Sequence, residues 1–255
     1  MEGQAAALPR PDAESAAHRS LRRNLAYAGR ILSDHGHDDL NQGQVSGRLP
    51  HGDQFLIKQA VVGFDEVSPG DLIDAPVEHT RPHAAVCPPE LPLHQAIYQR
   101  HPQVNAIVHS HAIYGILLGV KALEIEPISH EGAVFAGALP RFTQTSHTVL
   151  EIETAYAISE CLGEHRAVLL VNHGSVVVGR SIREATVLAC ALERACRVQV
   201  YAAMLGAIPH SIATPEDVAK KRAYIFGDTS IKAFWDYSVR AVERKAAEVR
   251  TWKAD

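Results

Sequence analysis

Residues 101–119 read HPQVNAIVHSHAIYGILLG, and the architecture follows from how this run is divided. Val104–His109 has the length and apolar content of a buried strand, and Ala112–Leu118 reads as the helix after it. A strand passing directly into a helix points to an α/β protein. Residues i and i+2 of a strand share one face, so His109 and His111 present two imidazoles in the same direction. The apolar residues beneath them, Ala106, Ile107 and Val108, are suited to fixing the backbone that carries the pair.

Downstream, Ala167–Asn172 and Ser175–Val178 are expected to be short strands around a turn at His173–Gly174. That turn sets a third imidazole at a strand end, where ligands gather in α/β sheets. Three histidines with one position left open describe a catalytic rather than a structural metal site. Spacing alone leaves a second reading standing, a set of satisfied core histidines. With 15 histidines in 255 residues, about one H-x-H pair arises by chance. A second pair, His35–Gly36–His37, reads as the punctuation of a helix C-terminus.

Working outward, a helix is expected over Glu14–Asp34, with Leu21, Leu25, Ala28 and Leu32 on one face. Gln44–Leu49 and Gln54–Lys58 read as strands around a turn at residues 50–53, with another strand before Val77. Pro88 and Pro89 are expected to open a helix running to Arg100. Val134–Phe142 reads as mixed strand and loop, and Ile152–Leu162 as a helix ended by Gly163. Ser181 and Glu184 form an S-x-x-E capping box ahead of a helix reaching Leu205. Thr214–Pro215 begins a last pair of helices. The fold class is therefore α/β, one domain over residues 14–255 with a mixed central sheet flanked by helices. Residues 1–13 are expected to be a disordered leader.

Composition excludes several classes. Hydrophobic residues make up 46% and charged residues 21%, an ordinary globular balance. The net charge of −4 comes with both signs interspersed, so no basic footprint for nucleic acid stands out. No run approaches the roughly 18 apolar residues of a membrane span. The four cysteines lack C-x-x-C spacing and read as reduced thiols of a cytoplasmic protein.

From about Ala16 to Ala246 the chain resembles the class II aldolase/adducin family. The resemblance is carried by Pro88–Pro89–Glu90–Leu91–Pro92–Leu93–His94, the run quoted above, PISHEG at 127–132, LLVNHGSVVVG at 169–179 and SIREATVLACALERAC at 181–196. It implies a class II aldolase-like fold and a divalent metal on His109, His111 and His173. It also implies an acidic residue, Glu90, that either joins the metal or moves a proton. A homotetramer with sites between subunits is implied as well. The ligand set suits manganese or zinc, with cobalt or iron also compatible.

Departures from the family pattern narrow the substrate. The family's sugar-phosphate aldolases hold phosphate with a G-N-x-S-x-R segment, a Thr/Ser-Gly loop and a Ser-Ser pair. Here Gln44 replaces the asparagine, and Lys58–Gly63 lacks the loop's hydroxyl. Pro88–Pro89 stands in place of the serines and offers neither hydroxyl nor N–H. A phosphate without donors is expensive to bury, so a non-phosphorylated substrate is expected.

PPE, PISHEG and PRF look more like the family's decarboxylase branch, which acts on hydroxylated aromatic or pyridine dicarboxylates. Arg48 and Lys58 are candidates to grip the carboxylate that stays on the ring, the alternative being solvated strand charge. Glu90 is the first candidate proton carrier, with His130 or Glu131 second. Two other functions compete. One is an aldolase cleaving a non-phosphorylated hydroxy-oxo acid. The other is a non-catalytic adducin-like interaction domain, where loss of metal ligands would be expected.

Overall fold

In the computed structural model the described residues are 15–50, 52–80, 86–121, 123–137, 139–206 and 213–252. The expected leader and His51 of the first turn lie outside them. Helix α1 (Ala16–Asp34) starts at Ser15, whose hydroxyl accepts the His18 N–H. Strands β1 (Gln44–Arg48), β2 (Gln54–Lys58) and β3 (Leu72–Pro76) then form an antiparallel meander. Helix α2 (Leu91–Arg100) leads to β4 (Ala106–Ser110) and α3 (Ile113–Lys121). A single turn, α4 (Gly132–Phe135), and the two-residue β5 (Arg141–Phe142) fill the stretch expected to be mixed. Helix α5 (Ile152–Leu162), β6 (Ala167–Leu170) and β7 (Gly174–Gly179) follow. The chain closes with α6 (Ile182–Met204), α7 (Pro215–Ile225) and α8 (Asp228–Trp252).

Among the described residues seven strands make one sheet in the order β3-β2-β1-β4-β7-β6-β5. Every pairing is antiparallel except β5 with β6. Each face of the sheet carries its own core. Val45, Leu56, Ala106, Val108, Leu169 and Val177 pack under α1, α6 and α8. Phe55, Ile57, Ile107, Val168, Leu170 and Val176 pack under α2 and α5. Strand alternation explains the division. It also puts His109 on the α2 side with Ile107, and Ser110 on the α1 side with Val108.

Two expectations about local structure need correcting. Helix α2 begins at Leu91, with Glu90 as its N-cap and Pro92 in its first turn, so Pro88 and Pro89 precede it. At Ser181 only half of the capping box forms: its hydroxyl accepts the Glu184 N–H. The Glu184 carboxylate instead accepts from the Arg180 backbone N–H and bonds the Arg166 and Arg180 guanidinia.

Candidate metal centre

The three predicted histidines converge. Ring centroids of His109, His111 and His173 are 5.1, 5.0 and 5.0 Å apart, close to an equilateral triangle. Glu90 closes the cluster from the N-terminus of α2. Its Oε2 is 3.0 Å from His109 Nε2 and its Oε1 is 3.4 Å from His173 Nε2. One ligand atom from each of these four residues lies within 4.8 Å of all the others. Two nitrogens bound at about 2.1 Å to one ion stand at most about 4.2 Å apart, so small side-chain shifts would close the set.

The protonation pattern fits a cation. His109 Nδ1 donates to the Ser175 carbonyl at 2.9 Å, and His111 Nδ1 donates to Asp39 Oδ2 at 2.8 Å. Each bond commits Nδ1 to carrying a hydrogen, so in the neutral imidazole Nε2 is the bare lone pair. Among the described residues, both Nε2 atoms are buried without a hydrogen-bond partner. The 3.0 Å approach of Glu90 to His109 is an ion-pair distance, which calls for a proton on that nitrogen or a cation beside it. Orphaned acceptors buried beside a carboxylate are costly unless something positive sits between them.

The electrostatics express the same demand for positive charge beside Glu90, here by favouring a proton on His109. Burial would raise the Glu90 carboxyl, but the charge of His109, the Val149 N–H at 3.0 Å and His173 outweigh it and hold Glu90 well below the usual carboxylate range. His109 moves up: burial opposes its charge, and Glu90 overrides burial. His173 is pushed down to about 4, mainly by burial and then by His109.

Local sequence explains the convergence. Strand β4 pairs with β7 so that His109 faces Val176 and Ser110 faces Ser175. A Cβ on Gly174 would stand 2.3 Å from the Ser110 carbonyl oxygen and 3.0 Å from the His111 ring. Only glycine lets the two strand ends approach this closely, bringing His173 beside His111. The left-handed residue of the turn is Asn172, at φ 61°, two positions before Gly174.

Four other expected site residues are placed elsewhere. Arg48 lies at the opposite end of β1 from Gln44, the residue paired with His109, about 13 Å along the strand. Its guanidinium bonds the carbonyls of Val104, Gly52 and Tyr98 and stacks on the Tyr98 ring at 4.7 Å. Lys58 is fully buried and donates to the carbonyls of Asn41, Gln59 and Val62. Lys58 thus spends its three donors on backbone carbonyls, and Arg48 spends three of its five in the same way. His130 and Glu131 line a cavity of about 490 Å³ against α6 and α8, and none of the four cluster residues lines it. Glu131 pairs there with Arg194 at 2.9 Å. Within one chain these two are not brought to the cluster.

Several contacts escaped the sequence. His35 and Gly36 do close α1, as expected. His37, however, is buried and bonds Ser110 Oγ at 2.7 Å. Asp39 and the Ser175 carbonyl gave no signal, because a hydrogen bond across 72 or 66 residues has no local pattern. His94, one turn after Glu90, bonds Ser46 Oγ at 2.7 Å rather than the carboxylate. The Gly63 N–H is spent on Glu66, in keeping with a loop that does not cradle phosphate.

Known proteins resemble this chain in sequence and in fold. The family model described as Class II Aldolase and Adducin N-terminal domain matches residues 23–200. Decarboxylase NovR of Streptomyces niveus is 28% identical over 173 residues, covering 67% of this chain and 63% of its own. The fold is shared with an aldolase II superfamily protein from Pseudomonas syringae, with a TM-score of 0.79 at 24% identity over 91% of this chain and 95% of that one. L-fuculose-1-phosphate aldolase from Thermus thermophilus superposes with a TM-score of 0.62 at 27% identity, over 77% of this chain and all of the other. Among the described residues no helix is long and apolar enough to cross a membrane. With the family model spanning well over half its length, the chain belongs to the class II aldolase and adducin N-terminal domain family.

Proposed function

We propose that this chain is a metal-dependent carboxy-lyase acting on a non-phosphorylated, hydroxylated aromatic or pyridine dicarboxylate. The single observation that carries the reading is the Glu90–His109–His111–His173 cluster, with two Nε2 lone pairs buried and unpartnered. The similarity to decarboxylase NovR supports the choice of carboxyl removal. His109, His111 and His173 would hold the ion, with Glu90 beside it. A divalent cation there supplies Lewis-acid stabilisation of the charge left when a carbon–carbon bond breaks.

The residues themselves supply binding and proton movement. Glu90 rests ionised, so it acts first as a base and takes the proton of the ring hydroxyl. Glu90 then gives that proton to the ring carbon bearing the departing carboxyl, which turns the ring oxygen into a keto oxygen. The bond to the carboxyl breaks, its electron pair passes through the ring to the keto oxygen and restores the aromatic ring as the ring-oxygen anion, and carbon dioxide leaves. The Val149 N–H holds Oε1 throughout, which leaves Oε2 as the oxygen that exchanges the proton.

A second reading has its own support in the similarity to L-fuculose-1-phosphate aldolase. In it the same site cleaves a non-phosphorylated hydroxy-oxo acid. In either case we place the subunit contact of a homotetramer on the exposed apolar side chains Ile113 and Leu117 of α3 and Met204 and Leu205 at the end of α6. The two reactions are told apart by products from a panel of hydroxylated phthalates, pyridine dicarboxylates and hydroxy-oxo acids. Metal-dependent carbon dioxide from an aromatic acid supports the carboxy-lyase. Pyruvate or an aldehyde, with no carbon dioxide, assigns the aldolase.

A further inference from the structure

Residues 36–43, between α1 and β1, grip the end of β4 from two sides. Asp39 Oδ2 accepts the His111 Nδ1–H at 2.8 Å. Two residues earlier, His37 Nδ1 bonds Ser110 Oγ at 2.7 Å, on the residue between the two cluster histidines. Ser110 and His111 are successive residues at a strand end, so the two contacts reach its two faces. The segment is itself fastened. Lys58 holds the Asn41 carbonyl from inside the protein at 3.1 Å, and Ser33 Oγ donates to Asp38 Oδ2 at 2.8 Å.

The turn that aims Asp39 carries strain. Leu40 has φ 53°, a left-handed conformation costly for a branched side chain, and it is 86% exposed, so burial gives nothing back. A hydrophobic residue held this way in solvent needs another reason, and the Asp39–His111 contact supplies one. An imidazole whose Nδ1–H is bound by a carboxylate keeps one tautomer and one ring angle, with Nε2 directed at the ion.

We propose that Asp39 is a positioning residue for the candidate metal centre, fixing the tautomer and orientation of His111, with Lys58 and His37 bracing its segment. This rests on the metal-binding reading above. It also gives Lys58 a part in the site, through the loop rather than the substrate.

The test is cobalt(II) binding to chelator-stripped protein, read by competition with a chromophoric chelator and by the visible absorption of the bound ion. Asp39→Ala should lose about 10- to 100-fold in affinity and shift the absorption bands. Asp39→Asn keeps an acceptor without the charge and should recover part of both. Asp39 is partly exposed, so the stripped variants should melt with the stripped wild type. If Asp39→Ala is itself less stable, Asp39→Asn decides. Both variants binding within twofold of wild type, with unchanged bands, would overturn the proposal while leaving the metal centre in place. Absence of cobalt binding by the wild type would overturn both.

Discussion

Glu90 Oε2 sits 3.0 Å from His109 Nε2, while the Val149 N–H anchors the other carboxylate oxygen at 3.0 Å. One oxygen is therefore fixed to the backbone on the His173 side, and the other faces His109. A glutamine at this position keeps the shape and can keep the Val149 bond, but it can neither take nor return a proton. Glu90→Gln should lower kcat by about 10²- to 10⁴-fold. Metal content per chain, measured by elemental analysis, should change far less, because three imidazoles remain.

Arg48 gives a contrasting prediction. Its three carbonyl acceptors and its stacking on Tyr98 make it a brace between β1 and the end of α2. Lysine cannot reproduce the fork or the stacking. Arg48→Lys should destabilise the fold by about 1–3 kcal/mol in urea unfolding, with KM for the carboxylate substrate unchanged. A large rise in KM without loss of stability would return Arg48 to the substrate.

Gly174→Ala tests the close approach of β7 to β4. The added methyl would meet the Ser110 carbonyl at 2.3 Å, and a backbone oxygen cannot move aside cheaply. A loss of about 1–3 kcal/mol is expected, together with weaker metal binding as His111 and His173 are pushed apart. Urea unfolding of the stripped protein and zinc titration measure the two effects separately.

A pH prediction comes from Glu193 of α6. Its carboxylate accepts the Tyr114 and Gly115 N–H groups at 3.0 Å each, capping the first turn of α3 just after His111. Burial pushes its pKa up to about 7, against the pull of those N–H groups and of Arg197. A carboxyl raised on folding binds its proton more tightly in the native state. Stability from this group is therefore fully present below about 4.5 and falls as pH rises to about 7. The total is on the order of 3 kcal/mol. Glu193→Gln should lack this slope when urea unfolding is followed from pH 4.5 to 8.

What the sequence made legible was local or periodic. Helix α5 and its Gly163 stop were read to the residue, because an apolar face and a C-terminal glycine are both written within a dozen positions. Strand β2 and the H-x-H end of β4 were visible for the same reason. The two corrections at helix starts came from competing partners, near in sequence at Arg180 and farther off at Arg166 and in the histidine cluster. Glu184 was drawn away from its capping box by two arginines, and Pro88 was separated from α2 by Glu90 turning into the cluster. The site divided along the same line. The resemblance located His109, His111, His173 and Glu90, which carry the motifs. Arg48 and Lys58 looked available because a charge in a strand reads as solvated, and nothing local shows which carbonyls will claim it.

The most direct measurement is titration of chelator-stripped wild-type protein with manganese, zinc or cobalt by calorimetry, beside His111→Ala and His173→Ala. One ion per chain bound by the wild type, with affinity collapsing in both variants, is the predicted result. Equal binding by all three proteins, or none by the wild type, would contradict the assignment of this cluster as the metal centre.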